Sequence, residues 1–202
     1  MAYLRPYKAD DLFKFNSVNL DHWTETYTIN YYLSYLAVWP DLSYTQLTPN
    51  GRIMGYVIGK AEGKDPGPKI GRMQKEQKER HGHVTAITVA PEYRRLGVAK
   101  GLMGLLESAS SDIYRAYFVD LFVRPSNQVA IGMYEGLGYS VYRKVDKYYM
   151  GGGPNGTDED GYDMRKALAR DTKRETVRDG VTGRNTVVDP SSTIFDSARK
   201  PR

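Results

Sequence analysis

A strand, a glycine-containing turn and a helix follow one another in the middle of this chain. Val84 to Ala90 is an apolar, β-branched run, Arg94 to Ala99 has the sequence RRLGVA, and apolar residues then recur at helical spacing from Val98 onward. A helix N-terminus has unpaired backbone N–H groups and a partial positive charge, and Gly97 has no side chain to keep an anion away. The pattern predicts a site for a phosphate or pyrophosphate group at this turn.

The length and the apolar content predict one compact domain over residues 1–169, followed by a tail. The chain has 202 residues, 40% of them hydrophobic, and domains commonly hold about 100–200 residues. The apolar runs are shorter than the ~20 residues of a membrane-spanning helix, and the first residues lack the apolar stretch of a signal peptide. We therefore expect a cytoplasmic protein without membrane contact.

The charge of the chain favours a polyanionic partner. The formal net charge is +5, which suits nucleic acid, the ribosome, an acidic protein or a phosphorylated cofactor. The basic residues are scattered, which is typical of a solvated surface. The chain has no cysteine and only three histidines, so thiolate chemistry is excluded and we expect no metal site.

Hydrophobic periodicity predicts the elements before the glycine turn. We expect a helix from Ala9 to Val18 and a second one with Ile29, Tyr32, Leu33 and Leu36 on one face, ending near Trp39-Pro40. A hairpin follows, with strands from Tyr44 to Thr48 and from Ile53 to Ile58 around Pro49-Asn50-Gly51. Residues 61–80 are rich in glycine and charge, and we expect a mobile insertion there.

The segments after the turn are predicted in the same way. Tyr117 to Val123 is suited to a buried strand, and Asn127 to Glu135 to a helix closed by Gly136 and Gly138. Tyr139 to Tyr149 and Tyr162 to Leu168 are expected to be strands. Residues 170–202 are polar with dispersed apolar residues, so we expect this tail to be disordered or bound along a partner.

Two motifs carry a family resemblance. RRLGVA, after the strand predicted from Val84 to Ala90, resembles the signature [QR]-x-x-G-x-[GA] of the GNAT acetyltransferase superfamily. Asn127 to Tyr139 resembles the second landmark of that superfamily, N-x-x-A-x-x-x-Y-x-x-L-G-[FY]. The strings HGHVTA from His81, VDLFVR from Val119 and YDMRKAL from Tyr162 resemble the NatB branch of N-terminal acetyltransferase catalytic subunits. Two features depart from that branch: the insertion between Gly63 and Arg80 is longer, and Gly132 stands where asparagine is frequent.

The resemblance implies an α/β (α+β) fold and a binding site for acetyl-CoA. The implied GNAT fold has a mixed, twisted, seven-stranded sheet flanked by about four helices, with the polar tail after it. One strand splays open in this family, so that its backbone pairs with the pantetheine chain. The implied cofactor-binding residues are Ile87, Thr88, Val89, Arg94, Arg95, Leu96, Gly97, Val98, Ala99, Asn127 and Tyr134. Asn127 is equally suited to capping the predicted helix that begins beside it.

The resemblance also assigns the catalytic roles. It places the hydroxyl of Tyr134 beside the thioester sulfur as the general acid, and a backbone N–H near Val89 at the thioester oxygen. The alternative for Tyr134 is a helical tyrosine packed in the core. The α-amine of a peptide has a pKa of about 8, so a weak base or a relayed water suffices to deprotonate it, and the sequence does not identify that base.

NatB-type enzymes act on Met followed by Asp, Glu, Asn or Gln. The implied peptide-binding residues are Glu25, Tyr27, His83, Thr85, Ala86, Tyr148 and Tyr149. His83 and Thr85 alternate along a strand, so we expect both on one face, with His83 beside the second residue of the substrate. The alternatives are a structural histidine and aromatic packing at the surface.

The resemblance implies a large helical-repeat auxiliary subunit as the partner, with the ribosome contacted indirectly and nascent N-termini as substrates. Phe13, Phe15, Ile29, Tyr32 and Trp39 supply more aromatic and apolar surface than two short helices need, and part of it is available to that partner. No direct binding to DNA is expected.

Two alternatives stay open. A GNAT enzyme acting on lysine or on a small amine would share the cofactor motifs but not the peptide-binding residues. A basic ribosome- or nucleic-acid-binding module would explain the charge, but it leaves the Asn127 to Tyr139 segment unexplained.

Overall fold

The described part of the chain comprises residues 2–20, 23–63, 78–151 and 156–193 of a computed structural model. The chain divides into two compact units, one of Met1–Val119 with Leu168–Arg170 and one of Asp120–Ala167 with Asp171–Arg202. Most of the insertion expected at 61–80 lies outside the described residues. The segment after residue 170 belongs to the second unit instead of standing apart as a tail.

The first unit contains four antiparallel strands in the order β1-β2-β3-β4 and two α-helices. The elements are β1 (Tyr3–Pro6), α1 (Ile29–Val38), β2 (Ser43–Leu47), β3 (Ile53–Glu62), β4 (His81–Val89) and α2 (Val98–Asp112). The predicted hairpin is confirmed as β2 and β3, and Gly51 in its turn has a φ of 81°. This is the left-handed region, which glycine enters without steric strain.

The prediction of a helix from Ala9 to Val18 is wrong. The chain forms two 3-10 turns there, Ala9–Phe13 and Asn16–Val18. Asp11 lies in the first of these turns, where it is buried, pairs with Arg5 of β1 at 2.7 Å and accepts the backbone N–H of Lys8 at 2.9 Å. The pair ties the turn to β1, a contact that the apolar periodicity of the segment does not reveal.

The second predicted helix is confirmed as α1, but its buried face differs from the expected one. Thr28 caps it by accepting the N–H of Tyr31 at 3.3 Å. Tyr32 and Tyr35 are buried, whereas Ile29 and Leu33 are exposed. Tyrosine rings can fill the core because their hydroxyls find partners, as in the bond of 2.9 Å between Tyr31 and Tyr35.

The second unit contains most of β5 and the remaining elements, with strand order β5-β7-β6-β8. The elements are β5 (Phe118–Val123), α3 (Gln128–Gly136), β6 (Ser140–Tyr149), β7 (Glu159–Ala167), α4 (Gly180–Asn185) and β8 (Val187–Val188). β6 is antiparallel to β7 and parallel to β8. The mixed α/β class is confirmed, with eight strands among the described residues where seven were expected.

The segment from 171 to 193 differs from the expectation of a disordered or partner-bound tail. The buried carboxylate of Asp171 accepts the N–H of Thr176 at 2.8 Å, and Gly183 of α4 lies so close to Val141 that a side chain would collide with that carbonyl. The guanidinium of Arg178 lies 4.4 Å from the ring centre of Tyr142. Polar and close backbone contacts with β6 order this segment, where apolar burial alone would not.

Two further features, membrane-spanning helices and metal-binding groups, concern the part of the chain that the structure describes. No helix there is long and apolar enough to cross a membrane. No group of three or more histidine or acidic side chains there is arranged to hold a metal ion.

Candidate functional site

The loop from Arg94 to Ala99 leads into α2 with its main chain accessible. Gly97 precedes the helix with a φ of 80°. Among the described residues no side chain caps the helix and, apart from the chain neighbours of Gly97, no atom lies within 4 Å of the position that a Cβ there would occupy. Arg94, Arg95 and Leu96 are also exposed. The first turn of a helix has no internal partners for its N–H groups, so this end of α2 is suited to binding an anion.

The two residues after Gly97 anchor the loop to the first unit. Val98 is buried and Ala99 is half-buried. The helix begins its internal hydrogen bonds at once, since the N–H of Gly101 donates to the carbonyl of Gly97 at 3.0 Å. The exposed loop therefore leads directly into a regular helix.

The strand end before the loop is only partly open to a ligand. The side chain of Thr88 is buried, donates to the carbonyl of Val18 at 3.4 Å and lies 2.9 Å from the hydroxyl of Thr24. Its side chain is thus occupied, and only its backbone is suited to the predicted cofactor role. Ile87 and Val89 are half-buried, and the carbonyl of Val89 accepts the Nε–H of Arg94 at 3.3 Å.

A β-bulge in β4 changes which side chains share a face. Ile58 pairs with Ala86 but Gly59 pairs with Val84, so Thr85 is the extra residue. Because His83 pairs with Lys60, the register places His83 and Ala86 on one face. The bulge thus interrupts the simple alternation on which the prediction for His83 and Thr85 rests. The Thr85 hydroxyl oxygen is buried without a hydrogen-bond partner.

A group of charged side chains that the sequence analysis missed surrounds His83. Lys60 lies across from His83 and Glu62 across from His81. Glu62 pairs with Lys60 at 2.9 Å and faces the Nε2 of His81 at 3.5 Å. Burial acts to raise the pKa of Glu62, but its contact with His81 and the charges of His83 and Lys60 hold that pKa below its ordinary value. The sequence signal for this group was the spacing of two residues between Lys60 and Glu62 and between His81 and His83, which places each pair on one face of a strand.

Tyr27 is held by its neighbours on α1. Its backbone N–H donates to the hydroxyl of Tyr32 at 3.2 Å, and its ring stacks on Tyr31 with centres 4.4 Å apart. Tyr27 is half-buried against the apolar core of the first unit, and Ala86 packs against the same core. Glu25, two residues earlier, is half-buried.

Tyr134 and Asn127 belong to the second unit. Tyr134 is 7% exposed, its ring meets Tyr139 edge-on with centres 5.9 Å apart, and burial raises the pKa of its hydroxyl above the ordinary value. The side-chain oxygen of Asn127 accepts the N–H of Ala130 at 3.1 Å, so this residue does cap α3. Its amide NH₂ group is the part suited to a cofactor. Gly132 is exposed, and no neighbour crowds it.

Tyr148 and Tyr149 lie where β6 departs from its register with β7. Val145 pairs with Gly161 and Tyr149 with Glu159, so β6 has two extra residues, and Lys147 takes a φ of 45°. Tyr148 stacks on Phe122 with centres 4.4 Å apart and meets Tyr149 edge-on at 4.9 Å. Both tyrosines are half-buried.

The chain matches a known protein family. The model of the acetyltransferase (GNAT) family matches residues 10–139, well over half of the chain. The chain belongs to the GNAT acetyltransferase family. Within that family, it is 50% identical over 177 residues to the N-terminal acetyltransferase B complex catalytic subunit NAA20 of Arabidopsis thaliana, a match covering 88% of this chain and 91% of that protein.

Similarity to solved structures indicates which branch of the GNAT family the chain belongs to. A crystal structure of Chaetomium thermophilum Naa20 in complex with a bisubstrate analogue has a TM-score of 0.82 and 43% identity, covering 95% of this chain and 98% of that chain. A structure of the NatB acetyltransferase complex bound to CoA and MES has a TM-score of 0.66 and 40% identity, covering 82% and 99%. The chain is thus a GNAT protein of the NatB catalytic-subunit branch.

The predicted site residues of this GNAT protein divide between its two units. The first unit holds the glycine loop, the end of β4, His83 and the Glu25 to Tyr27 segment, and the second holds Asn127, Tyr134, Tyr148 and Tyr149. The individual roles of these residues stay predictions.

Proposed function

We propose that this protein transfers the acetyl group of acetyl-CoA to the α-amine of an N-terminal Met followed by Asp, Glu, Asn or Gln, as the catalytic subunit of a NatB-type complex. The observation that carries the proposal is the uncapped N-terminus of α2 behind the exposed Gly97. An anion site of this kind at the end of a strand suits the pyrophosphate of CoA, and the related NatB complex was solved with CoA.

Different residues of the chain are suited to the pyrophosphate, the pantetheine chain and the thioester of acetyl-CoA. The N–H groups at the start of α2 bind the pyrophosphate, while Arg94 and Arg95, both exposed, add positive charge beside it. The amide NH₂ of Asn127, whose oxygen already caps α3, donates to the pantetheine chain. The backbone N–H of Val89 donates to the thioester oxygen and stabilises the charge that develops there.

The reaction needs one bond to form and one to break. The neutral α-amine attacks the thioester carbon, the C–N bond forms, and the C–S bond breaks as the sulfur leaves with its electron pair. The hydroxyl of Tyr134 supplies a proton to that sulfur. Tyrosine has an ordinary pKa of about 10, so Tyr134 is protonated at neutral pH, and burial raises that pKa further. The amine proton passes to solvent or to a weak base.

Peptide recognition combines aromatic side chains with a polar contact. Tyr27, Tyr148 and Tyr149 are half-buried rings whose orientation is set by stacking, and such rings suit the methionine side chain. His83 contacts the second residue of the substrate, where a hydrogen bond or a positive charge favours Asp and Glu. The half-buried Glu25 lies beside Tyr27 and is suited to the charged N-terminus.

An exposed apolar surface on the first unit fits the auxiliary subunit. Phe13 is 79% exposed, Leu20 83% and Ile29 56%, whereas Phe15 and Tyr32 are buried. Of the five residues expected to supply a partner surface, Phe13 and Ile29 are thus the ones at the surface. We assign these exposed side chains to the contact with a large helical-repeat subunit that also provides the link to the ribosome.

The test is an acetylation assay on the chain with its auxiliary subunit. Peptides beginning Met-Asp, Met-Glu and Met-Asn are expected to be acetylated, and Met-Ala and internal-lysine peptides are not. Preference for the lysine peptide or for a small amine would replace the proposal by another GNAT activity. Absence of CoA binding together with RNA affinity would indicate a ribosome-binding module instead.

A further inference from the structure

One carboxylate in the second unit contacts the loop between β5 and α3 twice, through a backbone N–H and through a side chain. The Oε1 of Glu159, at the start of β7, accepts the backbone N–H of Ser126 at 2.9 Å, and its Oε2 lies 3.3 Å from the Nη1 of Arg124. Both charged side chains are largely buried, at 13% and 14% exposure. Burial acts to raise the pKa of Glu159, and the contacts with Ser126 and Arg124 overcome that effect, so it is charged at neutral pH.

Arg124 extends the contact to Tyr149. Its guanidinium carbon lies 4.0 Å from the centre of the Tyr149 ring. Tyr149 is also the register partner of Glu159 on the neighbouring strand. A guanidinium that pairs with a carboxylate and lies over a ring links the two groups, and this holds the ring in turn.

Ser126 extends the contact in the other direction, to α3. It directly precedes Asn127, the cap of the helix that carries Tyr134. The N–H of Asn127 also donates to the carbonyl of Arg124 at 2.9 Å. The short loop from Arg124 to Asn127 is therefore fixed at its side-chain end by Glu159 and at its helical end by its own hydrogen bonds.

We propose that Arg124 and Glu159 are positioning residues, which hold the peptide-binding Tyr149 and the start of the Tyr134 helix in one fixed arrangement. This role rests on the proposed function, because it concerns the peptide and the proton donor of that reaction. Arg124 acts toward Tyr149 through its guanidinium, whereas Glu159 acts toward Tyr149 through Arg124 and toward α3 through Ser126. The two residues therefore have different kinetic signatures.

The experiment compares Arg124→Lys, Glu159→Gln and the double variant in the complex with the auxiliary subunit. Lysine keeps the charge but has no planar group to lie on the ring. We expect Arg124→Lys to raise the KM for a Met-Asp peptide about tenfold with kcat unchanged, and Glu159→Gln to raise that KM and also to lower kcat. The double variant should match Glu159→Gln in peptide KM, because both act on Tyr149 through one contact.

Controls separate this role from a general loss of structure. Arg184→Lys alters an exposed pair with Glu135 in the same unit and is expected to leave both constants unchanged. Thermal melting and the Kd for CoA are measured for every variant. An unchanged peptide KM in Arg124→Lys, multiplied effects in the double variant, or losses that follow the melting temperature alone would overturn the role of the pair. Failure of the unaltered protein on Met-Asp peptides would instead overturn the proposed function.

Discussion

The backbone N–H of Tyr27 donates to the hydroxyl of Tyr32 over 3.2 Å, which ties a segment predicted to bind the peptide to a buried side chain of α1. The ring of Tyr31, one residue before Tyr32 on that helix, stacks on the ring of Tyr27. Tyr27 has no regular secondary structure of its own, so its position depends on these contacts. The aromatic content of α1 thus serves the site as well as the core.

Tyr32→Phe is expected to weaken peptide binding selectively. A neutral hydrogen bond contributes about 1 kcal/mol, so the KM for a Met-Asp peptide should rise about fivefold, with the KM for acetyl-CoA unchanged. Steady-state kinetics with each substrate varied in turn provide the measurement. Tyr35→Phe is the matched control, because its hydroxyl bonds to Tyr31 and not to the Tyr27 backbone. Equal effects in both variants would contradict this role for Tyr32.

Tyr134→Phe is expected to lower kcat about a hundredfold while the Kd for acetyl-CoA stays within a factor of about two. The ring remains to fill the buried space, and only the proton donor is lost. Single-turnover rates and calorimetric titration separate the two quantities. Tyr142→Phe, which removes a hydroxyl elsewhere in the second unit, should leave kcat unchanged. An unaltered rate in Tyr134→Phe would remove this tyrosine as the general acid.

Gly97→Val is expected to weaken CoA binding about tenfold or more. The φ of 80° strains any β-branched residue by about 1–2 kcal/mol, and the added methyl groups stand where the anion approaches. The matched control is Gly104→Ala, at an exposed position of α2 with no neighbour within 4 Å, which should stabilise the helix slightly. CoA affinity retained in Gly97→Val would place the phosphate site elsewhere.

His83→Ala is expected to reduce kcat/KM for Met-Asp and Met-Glu peptides about fivefold to tenfold more than for Met-Asn. The reason is the loss of a polar or charged partner for an acidic second residue. Parallel assays on the three peptides give the ratio. A uniform loss on all three would show a fold defect instead of a change in specificity.

Glu62→Gln is expected to destabilise the first unit by about 2 kcal/mol at pH 7, because it leaves Lys60 and His81 without their buried carboxylate. The folded-state pKa of Glu62 is lowered, so its contribution is present above the unfolded value of about 4.5 and is lost as the pH falls through the lowered pKa. Urea titrations of both proteins at a series of pH values should therefore converge in acid.

A control for this stability effect is Glu92→Gln. Glu92 pairs with Arg52 at 2.7 Å, but both side chains are exposed, and such pairs contribute well under 1 kcal/mol. The free energy of unfolding should change little at any pH. A difference between wild type and Glu62→Gln that is the same at pH 3 and pH 7 would contradict the assigned charge.

Several features were predictable because they depend on neighbours in sequence. The β2–β3 hairpin follows from the Pro49-Asn50-Gly51 turn, and the end of α1 follows from Trp39-Pro40. The cap of α3 by Asn127 and the left-handed Gly138 after that helix are local features of the same kind. Each rests on the conformational limits of one or two residues, which tertiary contacts seldom override.

Other features were not predictable, because they depend on contacts between separate elements. The buried pairing of Asp11 with Arg5 joins the first 3-10 turn to β1, and the segment from 171 to 193 lies in close contact with β6. The bulge at Thr85 shows only in the register with β3. No periodicity of the local sequence carries these signals, since both partners must be brought together first.

The sequence by itself determined the glycine loop, the helix that it starts and the kinds of side chain available for acetyl transfer, because turns, caps and spacing are local properties of the backbone. Only the tertiary structure decided which face of β4 His83 shares, how Tyr27 and Tyr149 are held, and that Glu159 binds both Arg124 and Ser126. Those contacts join residues far apart in sequence, and the energy that selects them exists only once the strands have paired.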